Sequence, residues 1–162
     1  MRSIHSCMKR LKKPGDSETI MTEVVCPNDT NPMGFLQGGR LMQWMDIGSA
    51  VCAQSHAGTI CVTASIDEVK FKLPARIGDV ISIKAKITRA FSTSMEIFVQ
   101  AWSKKITSSE SQLINEAFFT FVAIDDQARP VKVPPVHPQS KTEKLLFEGA
   151  LKRKEYRIHT SR

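Results

Sequence analysis

The sequence has no apolar run near the roughly 20 residues that a membrane-spanning helix needs, and its first 15 residues lack the apolar segment of a secretory signal. Its four cysteines form no CxxC pair and have no histidine at zinc-finger spacing. Neither a disulfide framework nor a metal site is therefore predicted, and reduced thiols favour a cytoplasmic location. The 162 residues, 41% of them hydrophobic, suit one globular domain.

The net charge of +7 lies at the two ends of the chain. Residues 1–17 and 139–162 carry +4 each, whereas residues 18–138 carry −1. Solvated basic tails explain this distribution, and attraction of the tails to polyanions such as RNA or anionic lipid is the alternative. Because the middle of the chain is nearly neutral, no specific nucleic-acid site is expected.

Local patterns predict a first strand at 18–26 and then a loop at 27–34, where Pro, Asn, Asp and Gly are concentrated. Residues 40–57 contain no proline and many strong helix formers, so they predict one long helix. Asp46 is the only charged residue between positions 41 and 53. A helix with so few charges is expected to be buried on most sides by a sheet that wraps around it.

Four further strands are predicted at 60–73, 80–90, 94–106 and 113–124, and the short turns between them favour an antiparallel meander. The pattern predicts an α+β fold, in which an antiparallel sheet of five to six strands surrounds one long central helix. Because one helix on one sheet leaves strand edges open, an oligomer is expected.

The chain is predicted to consist of a basic flexible segment at 1–17, the main domain at 18–135 and a basic C-terminal extension at 136–162. Four prolines after residue 125 indicate an extended linker before the last segment. Residues 140–157 have the pattern of a partly amphipathic helix. Its predicted apolar face consists of Leu145, Leu146, Phe147 and Leu151.

Asp46 is the first candidate for chemistry, because a lone carboxylate on an apolar helix is costly unless it is paired or needed. A structural Asp is an equally good interpretation of this position alone. Gly38 and Gly39 begin the helix, where free N–H groups form an anion or oxyanion site, although a tight turn also explains two glycines. With Asn31 in the preceding loop, these residues supply what acyl transfer to water needs: an amide, backbone donors and a carboxylate.

The sequence around these candidates resembles the cytosolic acyl-CoA hydrolases of the hotdog superfamily. The resemblance covers residues 18 to 135 and begins with the stretches at 29–34 and 38–46. Shorter matches follow in order: Val62-Thr63-Ala64-Ser65, Val69-Lys70-Phe71, Pro74, Gly78-Asp79, Thr93-Ser94-Met95-Glu96 and the stretch at 117–123.

The resemblance implies that Asp46 is the catalytic carboxylate, as general base or nucleophile, and that Asn31 positions the water or the substrate. It also implies that the Gly39 N–H faces the thioester oxygen and that Thr63 lies near the reacting centre. In this family the site spans a dimer interface, so Asn31 of one subunit is expected to meet Asp46 of another. A trimer of dimers, a hexamer, is implied, and no cofactor besides the CoA of substrate and product.

Four further residues are expected to bind substrate: Gly38, Gln37, Thr93 and Ser94. Thr93 and Ser94 match positions at which the family contacts CoA, although a Thr-Ser pair at a strand start is more often structural. Gln37 departs from the family, in which Phe or His is common before the two glycines. Its amide can donate to the ligand or can be solvated, which affects substrate preference more than the reaction.

The sequence therefore predicts an acyl-CoA thioesterase that releases free fatty acid and CoA. Two alternatives stay open: a non-catalytic acyl-CoA sensor, and a hotdog hydratase. A hydratase needs a histidine beside the carboxylate, and neither this helix nor its loop offers one in a suitable place. His56 ends the helix, where it is expected to cap the negative end of the helix dipole.

Overall fold

A computed structural model of the chain describes residues 11–160, which form five strands, two α-helices and two short 3-10 helices. The strands and α-helices follow one another as β1 (Thr19–Val24), α1 (Gly38–Ala57), β2 (Cys61–Phe71), β3 (Asp79–Ala90), β4 (Ser94–Lys105), β5 (Gln112–Ala123) and α2 (Lys141–Thr160). The α+β prediction is confirmed, with five strands.

The five strands form one antiparallel sheet in the order β1-β3-β4-β5-β2. Only β3, β4 and β5 form a meander, so the prediction that β2 also belongs to it is wrong. The segment 72–78 does not turn back on β2. Instead Ala75 accepts a backbone hydrogen bond from Leu36, and Arg76 forms a bridge with Phe35. Through these contacts the segment 72–78 leads away from β2, so that β2 lies at the edge of the sheet beside β5.

Helix α1 packs against one face of the sheet, and its small residues allow a close approach. A Cβ atom on Gly48 would lie 3.1 Å from Cγ2 of Ile83 on β3, so glycine is needed at this crossing. The opposite side of α1 is not covered. Ile47 is 44% exposed and Val51 48% exposed, so within one chain the sheet covers one side of the helix and leaves these residues open.

Helix α2 lies on the other face of the sheet. Lys86 alternates along β3 with the strand residues that face α1, and its Nζ lies 2.8 Å from Glu143 of α2. Ala150 is fully buried and Phe147 packs against the core, but Leu145 and Leu151 are exposed. The predicted helix is confirmed, and two of its four predicted apolar-face residues point away from the sheet.

The N-terminal residues from 11 onward pack against the domain rather than extend from it. Lys12 forms a bridge with Val136, and its Nζ donates to the carbonyl of His56. A 3-10 helix follows at Pro14–Ser17. Residues 1–10 of the predicted flexible segment lie outside the described residues. Across residues 11–160, neither α-helix combines the length and apolarity that a membrane crossing requires.

Candidate active site

Asp46 and Thr63 form the centre of the candidate site. Asp46 is half-buried in the third turn of α1, beside the exposed Ile47, and Thr63 lies on the edge strand β2. The Thr63 hydroxyl donates a hydrogen bond of 2.7 Å to Asp46 Oδ1. The carboxylate is therefore held in one orientation at the border of an uncovered surface, with Oδ2 left for other partners.

The start of α1 offers backbone donors on the same side of the helix as Asp46. Gln37 is the N-cap residue, so the N–H groups of Gly38 and Gly39 have no partner four residues earlier inside the helix. Gly39 and Asp46 are seven residues apart, which puts them on one face about 10 Å apart along the axis. This geometry puts unpaired backbone donors and a carboxylate on one side of the helix, an arrangement that can stabilise an oxyanion beside the carboxylate.

The two glycines at the helix start have different surroundings. A Cβ atom on Gly38 would lie 3.2 Å from the ring of Phe71, which covers this position. A Cβ atom on Gly39 would meet no atom within 4 Å. Gly39 therefore leaves space for a ligand to approach the backbone, whereas Gly38 accommodates an aromatic ring.

The loop before α1 is held to the helix by Gln37 and Asp29. Gln37 donates its backbone N–H to the Asp29 carbonyl and its side-chain Nε2 to the Thr30 carbonyl, both at 2.9 Å. The buried carboxylate of Asp29 accepts from the Cys26 N–H and pairs with Arg40 at 2.9 Å. The Gln37 amide thus has a loop partner in this chain, and neither sequence-based interpretation included that contact.

Asn31 has a fixed amide orientation in this loop. Its Oδ1 accepts hydrogen bonds from the N–H groups of Met33 at 3.0 Å and Phe35 at 3.1 Å. Nδ2 is therefore the free donor end, and within residues 11–160 nothing accepts from it. Asn31 and Phe71 line an open cavity of about 370 Å³ whose lining excludes Asp46. Within residues 11–160, Asn31 and Asp46 share neither a hydrogen bond nor this cavity.

Thr93 lies in the turn between β3 and β4, and Ser94 is the first residue of β4. Their carbonyls accept backbone hydrogen bonds, Thr93 from Ala123 at 2.9 Å and Ser94 from Phe91 at 2.7 Å. Ser94 pairs with Val122, which pairs with Val62 beside Thr63. Ser94 is therefore two strand spacings, about 10 Å, from the Thr63 region of β2.

An apolar surface surrounds Asp46 and Thr63 on the uncovered side of the chain. Its members are partly exposed residues of α1 and β2: Ile47, Val51 and Ile66. One side of β2 pairs with β5, and the other side is a sheet edge with unpaired backbone groups. Apolar surface beside an open strand edge is typical of a protein–protein interface.

Other ionisable residues lie away from this site. His56 is fully buried, and its Nε2 lies 2.8 Å from the Pro134 carbonyl. Burial lowers the pKa of His56, so the prediction of a charged helix cap is wrong. Burial raises the pKa of the Cys52 thiol to about 12 and that of Cys61 to about 11. Within residues 11–160, no three His, Cys, Asp or Glu side chains are grouped to hold a metal ion.

Comparison with known proteins identifies the class to which this fold and site belong. A family model described as "Thioesterase superfamily" matches residues 33–110. The chain is 34% identical to an uncharacterized acyl-CoA thioester hydrolase of Bacillus subtilis, over 91% of this chain and 86% of that protein. It therefore belongs to the acyl-CoA thioester hydrolase family of the thioesterase superfamily, and its fold is the hotdog fold of that family.

Longer relatives also match. The chain is 38% identical to mouse acetyl-coenzyme A thioesterase over 93% of its own length, but it spans only 27% of that protein. The chain thus spans about a quarter to a third of the length of the mammalian relatives it matches.

Solved structures show the same architecture. A hexameric acyl-CoA thioesterase superposes with a TM-score of 0.88 at 40% identity, covering 92% of this chain and 96% of that one. Staphylococcus aureus acyl-CoA hydrolase, in complex with butyryl-CoA, CoA and CoA disulfide, gives 0.87 at 34% identity, covering 93% of this chain and 92% of that one. Variants of that hydrolase have also been solved in which an Asp, a Thr and an Asn are each replaced by Ala.

Proposed function

We propose that this chain hydrolyses acyl-CoA to a free fatty acid and CoA, without a metal or further cofactor. The observation that carries the proposal is the 2.7 Å hydrogen bond from Thr63 to Asp46, on the helix face that begins at Gly39. This arrangement fixes a carboxylate and leaves an oxyanion site on the same surface.

In the proposed reaction, the thioester carbonyl oxygen accepts a hydrogen bond from the Gly39 N–H. Asp46 Oδ2 either takes a proton from the water that attacks the carbonyl carbon, or attacks that carbon itself and forms an anhydride that water then hydrolyses. As the negative charge moves to the carbonyl oxygen, the helix start stabilises it. The C–S bond then breaks, the CoA sulfur takes a proton, and water supplies the second oxygen of the fatty acid.

The proposed site needs two copies of the chain. Asp46 and Thr63 border the exposed apolar surface, and Asn31 Nδ2 makes no contact with Asp46 within its own chain. Pairing of the β2 edges of two copies would cover that surface and extend the sheet. Asn31 of one copy would then face Asp46 of the other. We extend this proposal to a trimer of dimers, which agrees with the hexamers among the relatives.

The S. aureus relative supports the choice of residues. Its mutated Asn, Asp and Thr follow one another at intervals of 15 and 17 residues. The same intervals separate Asn31 from Asp46 and Asp46 from Thr63. The same three residue types therefore stand at the same spacing in both proteins, and the two structures superpose over most of both chains. This match is the strongest outside support for the assignment.

Four further residues complete the proposed site. Gly38 forms the ligand-facing backbone with Gly39, and Gln37 shapes the loop beside it through its bond to Thr30. Thr93, in the turn between β3 and β4, and Ser94, at the start of β4, are proposed to contact CoA. The cytoplasmic location remains a prediction.

A panel of acyl-CoAs with thiol release as the readout tests the proposal. The parent chain is expected to release CoA, and Asp46→Asn is expected to lower kcat at least about a thousandfold with the melting temperature maintained. Asp126→Asn is the matched control, because Asp126 is exposed in the turn after β5. A parent chain that binds acyl-CoA without releasing thiol would instead be a sensor. Equal rates for parent and Asp46→Asn would refute the role of Asp46.

A further inference from the structure

Strand β2 is irregular on both sides of the segment that follows Thr63. The pairing register with β5 shifts between Thr63 and Ser65, and again between Asp67 and Lys70. Glu68 has a φ of 52°, in the left-handed region that side chains rarely adopt. A β-bulge bends its strand and re-aims the neighbouring side chains. The direction of the Thr63 hydroxyl therefore depends on what holds the strand beyond the first bulge.

Asp67 holds the strand at this place. Its Oδ2 accepts a hydrogen bond from Ser65 Oγ at 3.2 Å and another from Arg157 Nη1 of α2 at 2.8 Å. The two side chains of the ion pair are only 25% and 17% exposed. Shielding from solvent makes such a pair more effective than an exposed surface salt bridge.

Arg157 is itself fixed to the sheet. Its Nη1 lies 3.9 Å from Oε2 of Glu96, a carboxylate of β4 with no exposed surface. Arg153, one turn earlier in α2, makes two hydrogen bonds to Glu96 at 3.0 and 2.8 Å. Thr88 of β3 donates to the same carboxylate at 2.6 Å. The last turns of α2 therefore form a rigid anchor for the otherwise open strand β2.

We infer that Arg157 and Asp67 are positioning residues for the thioesterase site. Through Asp67 and Ser65, helix α2 holds β2 so that the Thr63 hydroxyl meets Asp46. The inference rests on the proposed function, because it makes the Thr63–Asp46 pair the element that α2 positions. It assigns a role in catalysis to the basic C-terminal helix.

Replacement of Arg157 tests the inference in the full chain. Arg157→Gln is expected to lower kcat about tenfold with KM changed less than about twofold, because a small displacement of an aligned catalytic group is costly. Asp67→Asn should have a similar effect. Arg157→Lys keeps the positive charge, so its kcat should lie between those of Arg157→Gln and the parent. Lys144→Gln, which removes the same charge from an exposed position of α2, is the matched control and should leave kcat unchanged.

A double-mutant cycle with Thr63→Val separates positioning from general stability. If Arg157 acts through Thr63, Arg157→Gln should have little further effect on kcat in the Thr63→Val background. Full additivity of the two losses would overturn the inference, since Arg157 would then act elsewhere.

Amide hydrogen exchange supplies a readout that does not depend on activity. Arg157→Gln should accelerate exchange at residues 63–67 and leave β3 unchanged, whether or not the parent hydrolyses acyl-CoA. Unchanged exchange in β2 would overturn the inference even if thioesterase activity is found. A parent without activity but with accelerated exchange in the variant would refute the proposed function and keep the structural coupling.

Discussion

The Thr63 hydroxyl lies 2.7 Å from Asp46 Oδ1 and joins the third turn of α1 to the edge strand β2. A carboxylate with one oxygen held in this way keeps its second oxygen aimed in one direction. Because both residues border the uncovered side of the chain, the contact also fixes where a second copy would have to supply the rest of the site.

Loss of the Thr63 hydroxyl should impair catalysis without unfolding the chain. Thr63→Val is expected to lower kcat about ten- to a hundredfold, which corresponds to one hydrogen bond to a charged group. Thr63 is exposed, so the melting temperature should change little. Thr63→Ser keeps the donor and is the control. Equal losses in the Val and Ser variants would mean that the hydroxyl has no role.

Alanine at Gly39 should separate stability from activity. Gly39→Ala introduces a methyl group into open space, and alanine is the better helix former, so the melting temperature should be maintained or raised. The same methyl group would displace the thioester from the helix start, and kcat/KM is expected to fall about tenfold or more. Gly15→Ala, also in open space but remote in sequence, is the control. Full activity of Gly39→Ala would place the oxyanion elsewhere.

Stability should decrease as pH falls through the titration range of histidine. Burial lowers the pKa of His56 in the folded state, so the unfolded chain binds its proton first as pH decreases. The contribution of neutral His56 to the free energy of unfolding is therefore complete above a pH of about 6.5. Below that pH it declines by up to about 1.4 kcal/mol per pH unit. Urea unfolding at pH 7.5, 6.5 and 5.5 measures this slope. His56→Gln should flatten the slope, and an unchanged slope would contradict the assignment.

The buried carboxylate of Glu96 should make Arg153 important for stability. Arg153→Met leaves Glu96, which has no exposed surface, without its two closest charged hydrogen bonds. The free energy of unfolding is expected to fall by about 3 kcal/mol, measured by denaturant titration. Glu96→Gln in the same background should recover part of the loss, because it removes the uncompensated charge. If Arg153→Met alone were as stable as the parent, Arg157 would be sufficient to compensate the buried charge of Glu96.

The sequence predicted every strand and both helices, because their periodicity and turn residues are local properties. The position of β2 could not be predicted in this way. Its partner β5 is set by contacts of the segment 72–78 with residues 35 and 36, and such long-range pairing leaves no local pattern. The same reason explains His56, whose ring contacts the carbonyl of Pro134 and whose own carbonyl accepts from Lys12, both far away in the sequence.

The residues of the candidate site were predicted, but their contacts within the chain were not. The family resemblance implied that Thr63 lies near the reacting centre, and in the structure its hydroxyl contacts Asp46, on the helix face that begins at Gly39. The catalytic roles of these residues remain predictions. The loop residue Asp29 was missed as a structural anchor, although an aspartate three residues after Cys26 is a signal for a bond to that N–H. Asn31 remains a prediction, since its proposed partner lies in a second copy.

If Asn31 of one copy and Asp46 of another form one thioesterase site, a mixture of two inactive variants should regain activity, and this measurement tests the shared site most directly. Asn31→Ala and Asp46→Asn are each expected to be nearly inactive. After subunit exchange at equal concentrations, half of the dimers should be mixed, with one intact site each, so thiol release should recover to about a quarter of the parental rate. Rates that stay at the sum of the two separate variants, despite demonstrated exchange, would contradict a shared site.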